Sequence, residues 1–300
     1  LDWIFGYMPF PRIMCRFHEF CAVENEDVLH SRIVSYKKLS MFHMGGKSGK
    51  MNIIEQVRKK QPLIHHITNQ VVMNFTANGL LSFGGSPIMA KEVSEARDMA
   101  TIADGVLINI GTLVQPDIEA MIIAGQTANE RGIPVVLDPV GVAATPYRKQ
   151  AIKKLFNNVQ FTAVKGNAGE MAHLVEIAWE TKGVESIDDD MSKLESVALQ
   201  VAEKYNTLAI VTGKIDVVAQ GTNVKVNDTG HEYLTQITGA GCLLGSIVTA
   251  CLTTNSDQIK AVYEAVRFYG QAAEQAAARS DVFGTGTFLP HFIDALATKE

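Results

Sequence analysis

The chain has 300 residues, 47% of them hydrophobic, and a formal charge of −5 at neutral pH. That is apolar material for one large core or two smaller ones, and the mild acidic balance leaves no basic footprint for nucleic acid or an anionic membrane surface. No run approaches the roughly 18 to 20 apolar residues of a membrane span, and four scattered cysteines, Cys15, Cys21, Cys242 and Cys251, do not make a disulfide framework, which points to a reducing cytoplasm.

Residues 1–50 read as an extraneous N-terminal extension: the aromatic-rich start has no sustained period, Pro9 and Pro11 interrupt it, and Gly45 to Lys50 has linker composition. Three motifs there fall short of function. Gly46-Lys47-Ser48 ends like a phosphate-binding P-loop, but position 41 is Met41 where the motif needs glycine. Cys15, His18 and Cys21 lack a fourth metal ligand. The apolar start lacks the basic segment of a signal peptide.

From Met51 the periodicity alternates. Asn52–Lys60 is helical and stops before Pro62, Leu63–Thr68 is a short strand, and Asn69–Phe83 is a helix with Val71, Val72, Phe75 and Leu80 on one face, ended by Gly84-Gly85. A helix at Ser94–Ala103 leads to the strand Gly105–Ile110, and the helix Pro116–Arg131 to the strand Ile133–Leu137, which runs into Asp138-Pro139. Then come the helix Pro146–Asn157, the strand Val159–Val164 and the helix Ala168–Ala178. Trp179–Asp190 is acidic and reads as a solvated connection. The helix Met191–Tyr205, the strand Thr207–Thr212 and a hairpin over Asp216–Asp228 follow. His231–Ile237 is strand-like, and the helices Asp257–Arg279 and Phe288–Thr298 close the chain. Strands alternating with helices predict the α/β class, a single domain over 51–300 with a mostly parallel sheet covered by helices on both faces.

In such a sheet ligands bind beyond the carboxyl ends of the strands, so the polar residues there are the ones to inspect. Thr238-Gly239-Ala240-Gly241-Cys242 opens a helix-length apolar run. Unpaired N–H groups and the positive end of a helix dipole make an anion site there; a plain loop entering a core helix is the alternative. Asp138 ends an apolar strand, where a charge needs a metal or basic partner, or else it is a turn residue before Pro139. Glu170 follows Asn167 by three residues. It reads either as a second carboxylate for Mg²⁺ beside Asp138 or as a first-turn acid favourable to the dipole. Lys165 suits a phosphate or a solvated surface, and Thr212-Gly213 a nucleotide or a turn. Gly284-Thr285-Gly286-Thr287 is a second Gly-rich loop before a helix. His65 reads as a satisfied core histidine.

Taken together, Thr68-Asn69, Asn74 to Leu81, Ser86 to Met89, Leu107 to Leu113, Leu137 to Gly141, Lys165 to Glu170 and Thr238 to Cys242 closely resemble, in that order, the hydroxyethylthiazole kinases. The resemblance covers 51–300. It implies a ribokinase-like three-layer sandwich that transfers the γ-phosphate of ATP to 4-methyl-5-(2-hydroxyethyl)thiazole in thiamine salvage. It implies that Met89 and Gly239 line the thiazole site with Asn69, that Lys165, Thr212 and Asn167 serve ATP, that Asp138 and Glu170 serve Mg²⁺, and that the chain forms a homotrimer with active sites between subunits. The backbone of Ala240, Gly241 and Cys242 would then face the transferring oxygens. Two departures matter: Lys165 stands where relatives often carry Arg and lacks its fork, and Cys242 stands where other ribokinase-like kinases place an aspartate base. Either a thiolate accepts the substrate proton or Cys242 only orients the alcohol, and the second is expected because phosphoryl transfer depends mainly on positioning and charge neutralisation. Competing readings are a hydroxymethylpyrimidine kinase, a nucleotide-dependent hydrate dehydratase and a non-catalytic nucleotide-binding regulator. A dinucleotide-binding dehydrogenase is excluded by the lack of G-x-G-x-x-G after the first strand.

Overall fold

The computed structural model describes residues 51–179, 187–254 and 257–298. The expectations for 1–50, and for 180–186 of the acidic connection, lie outside the described residues.

Eight strands form one sheet: β1 (Leu63–Ile67), β2 (Ser86–Met89), β3 (Gly105–Asn109), β4 (Val135–Asp138), β5 (Ala163–Asn167), β6 (Leu208–Thr212), β7 (Asp216–Gln220) and β8 (Asn223–Asn227). Their order is β2-β1-β3-β4-β5-β6-β7-β8, parallel from β2 to β6, with β7 and β8 added as an antiparallel hairpin. The helices are α1 (Ile53–Lys60), α2 (Met73–Phe83), α3 (Ala96–Ile102), α4 (Gln115–Arg131), α5 (Pro146–Asn158), α6 (Ala168–Leu174), α7 (Ile187–Tyr205), α8 (Ala240–Leu252), α9 (Gln258–Ala277) and α10 (Thr285–Leu296).

Side chains on a strand alternate between faces, and here both faces are buried. Leu107 of β3 packs with Leu80 of α2, Leu243 and Ile247 of α8, Phe268 of α9 and Phe292 of α10. Its neighbours Val106 and Ile108 join the opposite core, with Ala124 of α4, Leu155 of α5, Met171 of α6 and Val201 of α7. The result is the expected three layers, helices on both faces of a mostly parallel sheet. The central strands are continuous apolar runs because neither face meets water.

Several boundaries differ from the sequence expectation. Asn69–Val72 is a turn, and α2 begins only at Met73; Val71, expected on the buried face, is 69% exposed. Ser86–Met89, not foreseen as a strand, pairs with β1 at the sheet edge. The strand expected at Val159–Val164 is β5, displaced to Ala163–Asn167. This places Lys165 inside the sheet in register with Ile210. Helix α7 starts at Ile187, inside the stretch read as a solvated connection. His231–Ile237 is not a strand: Glu232–Thr235 forms a 3₁₀ turn, and Tyr233, Leu234 and Ile237 pack onto the core from it. Gly284 caps α10 and Gly286 lies in its first turn, so that Gly-rich stretch is helix rather than loop.

Candidate active site

The carboxyl ends of adjacent parallel strands bring the chemistry together. Asn109 ends β3 in register with Asp138, which ends β4, and Asn167 ends β5 in register with Thr212 of β6. Asn69 lies two residues beyond β1. Helix α8, packed on one face of the sheet, brings its N-terminal turn to this rim.

Gly239 is the N-cap of α8 and holds φ 94°, a conformation glycine enters without the Cβ penalty. A Cβ there would also meet Val72 Cγ1 at 2.7 Å and Phe75 Cδ1 at 3.1 Å. Glycine is therefore required twice, by the turn and by the close approach of the 69–72 turn and α2. The first bond of the helix is Leu243 N–H to the Gly239 carbonyl, 2.9 Å. The N–H groups of Ala240, Gly241 and Cys242 precede it and have no carbonyl to reach within the helix. Buried Tyr269 of α9 donates its hydroxyl to the Ala240 carbonyl at 2.6 Å and so fixes this turn from behind.

Below the turn lies a buried ion pair. Lys165 Nζ is 3.2 Å from Asp138 Oδ2, with side-chain exposures of 5% and 1%, and it donates to the Gly241 carbonyl at 3.0 Å. Burial pushes the Asp138 carboxyl up to about 6, against the opposing pull of Lys165. For Lys165, burial acts to lower the ammonium value, but Asp138, with smaller help from Cys242 and Glu170, holds it above the ordinary range. The other Asp138 oxygen, Oδ1, is buried without a hydrogen-bond partner. A carboxylate oxygen in that position fits a cation, so the residues present are compatible with Mg²⁺.

The thiol of Cys242 receives Asn109 Nδ2 at 3.2 Å and Asn69 Nδ2 at 3.4 Å. Burial first and Asp138 second raise its value above that of a free thiol, with Lys165 and the two amides working the other way. Burial and Asp138 thus favour the thiol over the thiolate, and the lowering expected from a helix N-terminus does not prevail.

Glu170 is placed by a capping box. Its Oε2 accepts the Asn167 N–H at 2.9 Å while Asn167 Oδ1 accepts the Glu170 N–H at 2.9 Å, and its Oε1 accepts the Gly141 N–H at 2.8 Å, just past Asp138. The first-turn reading is what the capping box shows, and each oxygen keeps a lone pair beyond these bonds. Thr212 donates to the Gly166 carbonyl at 3.2 Å and sits beside exposed Asn167. Met89 ends the edge strand β2 in register with His66. Among the described residues, no cluster of three or more His, Cys, Asp or Glu side chains forms a metal cage; Mg²⁺ with a nucleotide needs only one or two carboxylates.

His65 and His66 are both buried. His66 is satisfied on both nitrogens, by the Ile64 carbonyl at 2.9 Å and Ser246 Oγ at 2.7 Å. His65, expected to be satisfied, has Nε2 on the Ala90 carbonyl but Nδ1 without a partner.

Asn109 is legible in the way Asp138 is, a polar residue closing a buried strand. Two contributors were not singled out from sequence: Tyr269, and Arg148, whose guanidinium donates to the carbonyls of Ile110, Gly111 and Val140 and ties the loops after β3 and β4 together. Nothing local marks either.

The profile of the hydroxyethylthiazole kinase family matches residues 54–300. Hydroxyethylthiazole kinase 1 of Oceanobacillus iheyensis is 57% identical over 247 residues, covering 82% of this chain and 95% of that protein. Among solved structures, a hydroxyethylthiazole kinase protein from Pyrococcus horikoshii OT3 superposes with a TM-score of 0.74 at 35% identity, covering 82% of this chain and 91% of that one. A Bacillus subtilis ADP/ATP-dependent NAD(P)H-hydrate dehydratase, co-crystallised with ATP and Mg²⁺, shares the fold at 14% identity and TM-score 0.53, over 83% of this chain and 94% of its own. With a family profile spanning five-sixths of the chain and the helix-capped site at the strand ends, the chain belongs to the hydroxyethylthiazole kinase family.

Proposed function

We infer that this protein is a kinase that phosphorylates the hydroxyl of 4-methyl-5-(2-hydroxyethyl)thiazole with ATP, a salvage step toward thiamine. The observation that carries this reading is the meeting of the α8 N-terminus with Asp138, Lys165 and Cys242 at the strand ends, in a chain so similar to a protein bearing that name.

The substrate alcohol attacks the γ-phosphorus in line. The new O–P bond forms as the bond from the γ-phosphorus to the oxygen of ADP breaks, and the alcohol proton passes late to an oxygen of the transferred phosphoryl group. The unpaired N–H groups of Ala240, Gly241 and Cys242 face the transferring oxygens and stabilise the charge spread over them. Lys165 adds positive charge beneath this turn and holds its Gly241 carbonyl away from the phosphoryl group. Cys242, as a thiol, orients the alcohol rather than ionising. Asp138 Oδ1 and Glu170 would hold Mg²⁺, which would supply positive charge against the negative charge of the ATP phosphates. Thr212 and Asn167 would border the nucleotide, while Met89, Gly239 and Asn69 would border the thiazole ring. The likeness to the family leads us to propose a homotrimer in which a neighbouring subunit covers this end of the sheet, where Val71 and Val114 are 69% and 48% accessible. No helix among the described residues is long and apolar enough to cross a membrane, and a cytoplasmic salvage enzyme is the location we propose.

The test is ATP- and Mg²⁺-dependent phosphorylation of the thiazole, with hydroxymethylpyrimidine as control, using the full chain beside one beginning at Met51. Turnover of the thiazole alone supports the reading, and equal activity of the two chains supports 51–300 as the kinase domain. Turnover of the pyrimidine instead reassigns the pocket; ATP binding without turnover of either makes the protein a regulator.

A further inference from the structure

Asn109 occupies the junction of the site. It is 1% exposed and uses all four of its hydrogen-bonding capacities. Its Oδ1 accepts Asn69 Nδ2 at 3.0 Å and the Gly111 N–H at 2.9 Å. Its Nδ2 donates to Asp138 Oδ2 at 2.9 Å and to Cys242 Sγ at 3.2 Å. The orientation of the amide is fixed by this set, because the flipped form would press its oxygen against the Asp138 carboxylate and its nitrogen against the Gly111 N–H. Asn69, itself oriented by Asn109, supplies the second donor to Cys242 Sγ at 3.4 Å. A thiol has one proton and two weak acceptor lone pairs. With two amide donors on the sulfur, what remains to be presented is the S–H.

We propose that Asn109 is a positioning residue for phosphoryl transfer that acts through Cys242: with Asn69 it occupies the sulfur as an acceptor, so that Cys242 offers the substrate oxygen a hydrogen-bond donor and not a base. The proposal rests on the kinase reading above and adds to it which way the hydrogen bond runs. Donation from S–H to the alcohol oxygen holds that oxygen in place and leaves its own proton pointing elsewhere. Cys242 then fixes the angle of attack while the proton departs late.

Two readouts test this. The first is a double-mutant cycle of Asn109→Ala, and of the nearly isosteric Asn109→Leu in case the alanine variant does not fold, crossed with Cys242→Ala. In the native background kcat should fall roughly 10- to 100-fold, the scale of a misplaced reacting group, with KM for the thiazole changed less than about 3-fold. In the Cys242→Ala background the same change at Asn109 should cost several-fold less, because its bond to the sulfur is already gone and only those to Asp138, Asn69 and Gly111 remain to be lost. The second readout needs no turnover: the pH midpoint of iodoacetamide alkylation at Cys242, followed on its own peptide by mass spectrometry, should move upward when the Asn109 amide is removed, since that donor favours the thiolate. Equal losses of kcat in both backgrounds, or an unmoved midpoint, would overturn the proposal. A native protein that fails to turn over the thiazole would remove the functional reading instead, and the alkylation midpoint would still report whether Asn109 acts on Cys242.

Discussion

Consider removing one or both members of the Lys165–Asp138 pair. The two side chains are 5% and 1% exposed, so solvent screening does little to soften the loss. Lys165→Met keeps the aliphatic stem but removes both the contact to Asp138 at 3.2 Å and the bond to the Gly241 carbonyl at 3.0 Å. It leaves a buried carboxylate supported by Asn109 alone. Asp138→Asn leaves the mirror problem, a buried ammonium with no counter-charge and only neutral oxygens, the new amide and the Gly241 carbonyl, as acceptors. Breaking a buried pair from one side costs about 3 to 5 kcal/mol, whereas replacing both partners is often neutral. Each single substitution should therefore lower the melting temperature by roughly 6 to 20 °C, taking about 2 to 4 °C per kcal/mol for a domain of this size. The double variant should melt above the less stable single one. Thermal and urea unfolding of the four proteins, at one pH and without nucleotide, give the cycle. Kinase turnover should be lost in all three variants, which separates stability from activity. If the double variant loses the sum of the two single losses, the residues do not share one electrostatic account and the reasoning fails.

Cys242→Ser should retain substantial turnover, because the thiol is held protonated by burial and Asp138 and a hydroxyl also donates; near-complete loss in a steady-state assay would restore Cys242 as the base. Gly239→Ala should reduce kcat strongly and lower stability by about 1 to 3 kcal/mol, the usual cost of a strained backbone, since the new methyl must displace Val72 and Phe75; a calorimetric scan matching the native protein would refute this. Burial depresses His66 from 6.5 to about 4, so its contribution to stability is present above pH 6.5 and is lost as pH falls toward about 4. At ~1.4 kcal/mol per unit this amounts to about 3 kcal/mol. Asp138 and Asp216, both raised to about 6 chiefly by burial, act in the opposite sense and favour the fold as pH falls from about 6 toward 3.8. The His66 contribution must therefore be read as the difference between the native protein and His66→Gln in urea titrations across that window, and a difference independent of pH would refute the assignment.

The central strands were legible because β3 and β4 are uninterrupted apolar runs that only a doubly covered sheet accommodates. The displacement of β5 was not: Val159 and Phe161 are apolar because they pack against the core from outside the sheet, and the strand lies where β6 offers a partner for Lys165 and Asn167. His231–Ile237 misled for a related reason, since its apolar residues face the core from a 3₁₀ turn. At the site, residue types at strand ends pointed to Asp138, Glu170 and the α8 turn. What sequence left open was connectivity. That Lys165 faces Asp138 and Gly241 depends on the pairing of β4, β5 and β6, and that Tyr269 reaches Ala240 depends on how α9 packs on α8, contacts separated by tens of residues and encoded in no local pattern.

The borders of the sheet bear on how the protein behaves when concentrated. A parallel sheet has two rims along which another chain might add a strand and propagate a fibre. At β2 the rim is four residues long and carries Pro87, which has no N–H to offer a newcomer. At β8 the rim is a five-residue strand bearing Lys225, whose ammonium lies 5.0 Å from the Tyr263 ring centre, so a second copy docking in register would bring like charges together. Both rims discourage edge-to-edge growth without drawing on the catalytic end, leaving the apolar residues around Asn69 free to serve the site.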